Sequence, residues 1–378
     1  MAAAPANNPP LAREESRTSL FAGHIGHLSQ DQQVALEAFK QLCAEKGLYQ
    51  PPVTGDPTSK ASHDDGTLLR FLRARKFGIP EAFQQFSDTE AWREANKLDY
   101  LYNNIEIRDY EETRRLYPQW TGRRDRRGIP VYLYEVRSLD SKKMSAYHKS
   151  ASKTSTPKTK SGSNNMQTPA SPKLLRLFAL YENLTRFVTP LCSRLPDRPC
   201  PEVPITQSSN LVDISGVGLS QFWNLRSHMQ DASTLATAHY PETLDRIFII
   251  GAPHFFPTVW GWIKKWFDPI TTSKIFILSS SEVLPTLTKF IDPKNIPRKY
   301  GGELDYKFGM MPVLDSSAEE SLGWSSGTAK AQEKQTTIPT GPLIWTEDEA
   351  SQKILVAVGS VDGKERRDRI AVQRQAPG

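Results

Sequence analysis

Apolar residues recur at helical spacing from Ser29 onward, through Val34, Leu36, Phe39, Leu42 and Cys43, until Gly47 supplies a stop. After a loop over Pro51–Ser62, a second short helix is predicted from about Asp65 to Phe77, capped by Asp64 or Asp65 and followed by Gly78. Pro80 opens a third, which carries Ala82, Phe83, Phe86 and Trp92. The pattern then changes period. Val131–Val136, Leu211–Ile214, Ile247–Ile250 and Ile275–Leu278 are short runs of β-branched and aromatic residues bounded by Gly, Pro or Ser, as buried strands are. Helical patterns lie between them at Leu174–Thr189, Ser220–Ala238 and Pro257–Phe267. Strands that alternate with helices imply an α/β domain with a parallel or mixed sheet.

The rhythm is interrupted by residues 138–173, a Ser/Thr/Pro-rich run with many lysines and, from Ser141 on, no carboxylate. It reads as an inserted, solvated loop. Four segments are therefore expected: a loose leader over 1–27, a helical domain over 28–110, an α/β domain over 111–306 with the basic insertion at 138–173, and an extension over 307–378. In the extension, Leu343–Trp345 and Ile354–Val358 look like strands, and Asp362-Gly363 marks a turn from which Ile370–Val372 pairs back as a small hairpin.

Charge narrows the function. The 378-residue chain carries 48 basic against 42 acidic side chains, a formal net charge of +6, which favours acidic partners such as anionic lipid or nucleic acid. The basic run lacks the interleaved aromatics of a nucleic-acid site, so nucleic acid is not expected. No stretch has the roughly 18–20 unbroken apolar residues of a membrane span, which leaves peripheral contact. Cys43, Cys192 and Cys200 are odd in number and far apart, which fits a reducing, cytoplasmic setting without disulfides. There is no phosphate-binding G-x-x-x-x-G-K-[ST] loop, no H-E-x-x-H zinc helix and no G-x-S-x-G elbow. Gly216-Val-Gly218 follows a strand, but Gln221 stands where a dinucleotide loop needs its third glycine. No enzyme, metal or cofactor is expected.

Three segments carry candidate chemistry. In Leu68–Phe77, an apolar stripe of Leu68, Phe71 and Leu72 sits beside Arg70, Arg73, Arg75 and Lys76. Those cations complement a helix C-terminus, at about 0.3–1 kcal/mol each, or bind an anion. Tyr240–Pro253 and Phe267–Leu278 each run from a polar turn into a buried strand, which places Glu242 and Lys274 just before a strand, either as members of a surface ion pair or at a pocket mouth.

These segments, with Asp292–Gly302, closely resemble the CRAL-TRIO lipid-transfer family of the Sec-fourteen type from about Leu28 to Asp305. The resemblance implies a mixed β-sheet floor flanked by helices, a hydrophobic lipid pocket and a mobile gate helix, preceded by an N-terminal helical domain. It implies binding and transfer of phosphatidylinositol between membranes and presentation of that lipid to phosphoinositide kinases. By position, the family's phosphoinositide signature falls on Arg75, Lys76, Glu242 and Lys274, with Thr271 near the lipid phosphate. A carboxylate accepts from two inositol hydroxyls, and the cations neutralise the phosphodiester.

Tyr132, Tyr181 and Ser208 match the family's phosphatidylcholine site, whereas Thr121, Asn210 and Ala236 depart from it, so the second lipid is phosphatidylcholine, a sterol or another hydrophobic ligand. The gate is expected over Pro257–Phe267, where Trp260, Trp262, Ile263, Trp266 and Phe267 with Lys264 and Lys265 suit a helix that touches a headgroup layer. A monomer that visits Golgi, endosomal or plasma membranes is the expected form. The competing expectation is a lipid sensor or scaffold that does not transfer, regulated by phosphorylation at Thr156, Thr168 or Ser171, each followed by proline.

Overall fold

The computed structural model describes residues 21–56, 59–152, 170–266, 272–325 and 338–374. Helix α1 (Gln30–Glu45) starts at a capping box: the Ser29 hydroxyl accepts from Gln32 N, and the Gln32 side chain accepts from Ser29 N. α2 (Asp65–Ala74) is capped by Asp64, which accepts from Thr67 N at 2.6 Å. α3 (Ile79–Ala95) carries Pro80 in its first turn, where a missing N–H loses nothing. The rings of Phe39, Phe71 and Phe86 meet edge to face where these three helices pack, at centroid distances of 5.9 and 5.1 Å. α4 (Leu98–Asn104) and α5 (Ile107–Arg114) lead on to the sheet.

Five strands form that sheet in chain order: β1 (Gln119–Arg124), β2 (Pro130–Glu135), β3 (Ser208–Asp213), β4 (Leu244–Ile250) and β5 (Ile275–Leu278). β1 is antiparallel to β2, and the remaining neighbours are parallel. The fold is thus the expected mixed sheet flanked by helices. β4 shows how the pleat divides two cores: Ile247 and Ile249 face the helical layer, while Phe248 and Ile250 pack on the opposite core. The helical layer consists of α6 (Ser141–Ala151), α7 (Pro172–Asn183), α8 (Thr189–Arg194), α9 (Leu219–His239) and α10 (Phe256–Ile263). α11 (Val283–Phe290) covers the other face.

Three local departures from the sequence pattern have physical causes. α6 lies inside the stretch expected to be a loose insertion: Asp140 caps it, and Met144, Tyr147 and Ala151 bury one stripe against the core. The strongly polar sequence around that stripe hides its helical period. Residues 153–169, with Thr156 and Thr168, lie outside the described residues. Ser171 precedes α7 with its hydroxyl buried. β1 reads poorly as a strand because it is charged and contains Gly122; it is an edge strand, and Gly122 (φ +87°) sits at a bulge where a Cβ would lie 2.4 Å from the Val313 backbone. α7 runs into α8 through a π-helical turn, Leu184–Val188, just ahead of Pro190, whose missing N–H cannot continue regular α bonding.

The extension is larger than a hairpin. β6 (Leu322–Trp324), β7 (Leu343–Glu347), β8 (Lys353–Val361) and β9 (Lys364–Gln373) form an antiparallel sheet in the order β6-β9-β8-β7. Its inner face buries Leu343, Leu355, Ala357 and Ile370 against Phe187, Val188 and Leu191 of the π turn and α8. Asp362-Gly363 makes the β8–β9 turn, with both residues at positive φ.

Candidate lipid-binding site

Between the helical face of the sheet and helices α7 and α9 lies a cavity of about 230 Å³. Strand alternation delivers one wall: Tyr132 and Tyr134 from β2, Ser208, Asn210 and Val212 from β3, and Leu244 and Ile247 from β4. Leu177, Leu180, Tyr181 and Leu184 come from the α7 side, and Met229, Ala232 and Ser233 from α9. No lining residue bears a charge at neutral pH: burial raises the Tyr132 and Tyr134 phenols above their usual range and the Tyr181 phenol to about 12. Two polar side chains of β3 are paired. Asn210 Nδ2 donates to Ser208 Oγ at 3.1 Å, and Ser208 Oγ donates to Thr243 O at 3.2 Å. Such a chamber accepts apolar chains and offers hydroxyls from both the sheet and the helices.

The structure therefore brings Tyr132, Tyr181 and Ser208 to one cavity. Thr121 is buried elsewhere, donating to Val131 O at 2.9 Å.

The charged residues gather immediately beside it. Glu242 lies in the turn between α9 and β4, and the next two residues, Thr243 and Leu244, already line the cavity. Glu242 Oε2 accepts from Arg73 Nη2 at 3.1 Å and sits 3.7 Å from Lys274 Nζ, which itself donates to Leu244 O at 3.1 Å. Consecutive turns of α2 reach this corner: Arg70 Nη1 approaches Pro241 O at 3.5 Å and Arg73 takes the carboxylate. Arg73 was part of the basic run in the sequence, but nothing there distinguished it from Arg75 and Lys76. Those two follow the end of α2, exposed, and neither makes a side-chain hydrogen bond or ion pair among the described residues. Thr271 lies outside the described residues.

Backbone strain concentrates here. Lys76 (φ 51°), Phe77 (φ 63°) and Glu242 (φ 58°) all occupy left-handed conformations without being glycine. Each costs of order 1–3 kcal/mol and persists only where surrounding structure imposes it, a condition common at ligand sites. The left-handed pair ends α2, so Gly78 serves instead as the N-cap of α3. A second ring of charge backs the cluster. Asp245 bonds Arg127 and, at 2.8 Å, Arg246; burial opposes its charge, yet these guanidiniums hold its carboxyl below the ordinary range. His24, from the turn ahead of α1, places Nδ1 3.5 Å from Arg73 Nη1, and burial together with that cation lowers it to about 3. His24 lies in the leader whose composition predicts a loose segment and gives no sign of this contact.

On the expected gate, Phe256 and Val259 of α10 are buried in the helical core, Trp260 stacks on Phe256 at 6.2 Å, and Trp262 is exposed. A 3₁₀ turn, Lys264–Trp266, follows. The side chains of Ile263 and Trp266, and all of Phe267, lie outside the described residues. The lining of the cavity comes from α9 rather than α10.

Comparison with known proteins agrees with this architecture. Residues 114–302 match the CRAL/TRIO domain model, and residues 35–88 match that of the CRAL/TRIO N-terminal domain. A CRAL-TRIO domain-containing protein of Saccharomyces cerevisiae is 34% identical over 286 residues, 74% of this chain and 80% of that one. The chain belongs to the CRAL/TRIO family. Other relatives include a SEC14 cytosolic factor of Eremothecium gossypii, 30% identical over 75% of this chain and 80% of that protein. A third is the phosphatidylinositol/phosphatidylcholine transfer protein SFH7 of Arabidopsis thaliana, 30% identical over 77% of this chain and 47% of its own length. The crystal structure of Sfh5 superposes with a TM-score of 0.53 at 16% identity, covering 78% of this chain and 96% of that one, which shows a shared fold. Members of the family thus include lipid-transfer proteins. Among the described residues, no helix is long and apolar enough to cross a membrane.

Proposed function

We propose that this CRAL/TRIO chain is a carrier rather than a catalyst, taking up one phospholipid, recognising phosphatidylinositol by its headgroup, and moving it between membrane surfaces. The observation that carries this reading is the junction at Glu242–Leu244, where a strained, cation-flanked carboxylate passes directly into the wall of an uncharged cavity. Inositol offers several hydroxyl donors to one carboxylate, while Lys274, Arg73, Arg75 and Lys76 supply positive charge for the phosphodiester. The name of the SFH7 relative, a phosphatidylinositol/phosphatidylcholine transfer protein, supports the same substrate class.

The barrier that such a protein lowers is the exposure of acyl chains, about 0.8 kcal/mol per methylene. The cavity of about 230 Å³ falls below the roughly 300–1,000 Å³ of ligand pockets, so loading requires the helical wall to move outward. α10 and the lysines after it are the proposed gate and membrane contact, through Trp260, Trp262, Ile263, Trp266 and Phe267. Tyr132, Tyr181 and Ser208, together on the cavity wall, favour a second lipid headgroup there. Cytoplasmic residence, action as a monomer and delivery of lipid to phosphoinositide kinases belong to the same proposal.

Mass spectrometry of lipids extracted from the purified chain, paired with vesicle-to-vesicle transfer, tests it. The expected result is phosphatidylinositol bound and transferred, with transfer abolished in Arg75→Ala/Lys76→Ala while the fold stays intact. Unchanged transfer in that variant rejects the headgroup assignment. Bound lipid without transfer would favour a sensor over a carrier.

A further inference from the structure

A second cavity, of about 570 Å³, opens where the β8–β9 turn of the extension meets α4, α5 and α7. No residue lines both it and the lipid chamber: α7 gives Arg176 to this cavity and Leu177, Leu180 and Tyr181 to the other. Its size falls within the roughly 300–1,000 Å³ of small-molecule sites. The walls are charged, with Glu106, Asp109 and Glu365 against Arg108 and Arg176. Most of that charge is already matched. Arg176, 1% exposed, donates to Asp109 Oδ2 at 2.5 Å and to Glu112 Oε2 at 3.0 Å. Glu106 accepts from Ser360 Oγ at 3.0 Å and from Gly363 N at 2.7 Å, which ties the extension to the α4–α5 corner. Asp109 is where bonding runs short. It is 6% exposed, yet its Oδ1 accepts no hydrogen bond among the described residues, and Arg108 Nε, on an exposed side chain, stays 3.5 Å away. Glu365 is exposed and makes no ion pair among the described residues, and Tyr100 is 56% exposed.

We propose that this cavity binds a small organic cation bearing an amine or guanidinium, with Asp109 Oδ1 as its main acceptor and Glu365 and Tyr100 as contacts at the mouth. What the lining still lacks is a donor. A buried acceptor without a partner costs about 1–3 kcal/mol, and a charged N–H on a carboxylate makes the shorter, stronger kind of hydrogen bond. The exposed Tyr100 ring adds a face for the cation. An anion would meet two arginines that each already stand beside Asp109, in a lining where three carboxylates face those two cations. A metal ion is less suited, since no group of three or more His, Cys, Asp or Glu side chains is arranged to hold one among the described residues. The whole chain carries a net charge of +6 and so repels small cations in general, which makes retention of one a report on this local arrangement.

The test is calorimetric titration of the full chain with agmatine, which carries a guanidinium and an ammonium, and separately with inorganic phosphate. Saturable agmatine binding is expected, weakened about tenfold by Asp109→Asn and about threefold by Glu365→Gln or Tyr100→Ala. Asp109→Asn also takes a charged partner from Arg176, so circular dichroism accompanies it. Should that variant not fold, the two exposed positions decide. Lipid extracted from each variant should match that of the wild type, because none of these residues lines the lipid chamber. Absence of saturable agmatine binding overturns the proposal, as does wild-type affinity in a folded Asp109→Asn or in both variants at the mouth. Saturable phosphate binding without agmatine binding would reverse the charge assigned to the ligand and overturn it too.

Discussion

Two carboxylates close to the cavity, Glu182 and Glu242, meet the same turn and are treated very differently by the structure. Glu182 is 1% exposed and accepts from Arg93 at 2.7 and 3.1 Å, from Arg186 at 2.6 Å and from the Tyr240 hydroxyl at 2.5 Å. Glu242 stands only two residues beyond Tyr240, yet it has one hydrogen bond, from Arg73, and a longer approach to Lys274. Burial disfavours charge on Glu182, but Arg93 and Arg186 hold its carboxyl down at about 2. Saturated bonding of this kind ties the helical domain to the cavity wall. The sparser bonding at Glu242 leaves capacity for a ligand. Hydrogen-bond saturation, more than charge alone, separates the two roles.

The largest effect expected from this contrast is on stability. Glu182→Gln takes the buried carboxylate from two half-buried guanidiniums, which then keep only the exposed Asp99, and should lower unfolding free energy by about 3 kcal/mol in urea denaturation. Its acid dependence has a definite sign. The folded carboxyl is depressed, so its contribution is present above the unfolded value near 4.3 and is lost as pH falls toward about 2. The wild type should lose stability across that window more steeply than Glu182→Gln. Parallel curves would show that the network is not the stabilising element inferred here.

Glu242→Gln should do the reverse. Stability should change by about 1 kcal/mol or less, because Glu242 has a single hydrogen bond, from Arg73, which the amide oxygen of Gln can still accept, whereas phosphatidylinositol transfer should fall at least about tenfold. Transfer of a second lipid should fall less. A variant that unfolds as readily as Glu182→Gln would erase the distinction between the two carboxylates.

The strands and most helices were legible because their apolar periodicity is strong, as in Ile247–Ile250 and Ile275–Leu278. β1 was not, because an edge strand with a glycine bulge and two arginines violates the alternation that reveals interior strands. α6 was hidden by the lysines and serines around its buried stripe. At the candidate site, Glu242 and Lys274 were visible through family resemblance, and the structure places them together. Arg73 is one cation among several in the basic run and His24 carries no signal at all, since which face of α2 meets the Pro241–Glu242 turn is decided by packing of one domain on another and leaves no local signature.

The smallest effect expected comes from His24, which ties residues ahead of α1 to the Arg73–Glu242 corner. Burial comes first, then the Arg73 guanidinium, with Arg127 and Lys274 adding to it and Asp245 opposing; together they lower His24 to about 3. A neutral imidazole in the fold and an unfolded value near 6.5 mean that the unfolded chain binds the extra proton as pH drops below about 6.5. Folding free energy should therefore decline between pH 7 and pH 5 by about 1 kcal/mol from this residue, after allowance for its partial exposure. His24→Gln, which cannot take up that proton, should flatten the thermal-unfolding midpoint across the same range. Because the folded value is about 3, the His24 slope continues below pH 4.5, so the variant should lessen the acid loss there as well and leave the part that belongs to Glu182. If the slope between pH 7 and pH 5 survives the substitution, His24 is solvated in the native protein. The turn over residues 21–27 would then not seal the corner, leaving Glu242 more open to solvent than its partner on the other side of Tyr240 by a still wider margin.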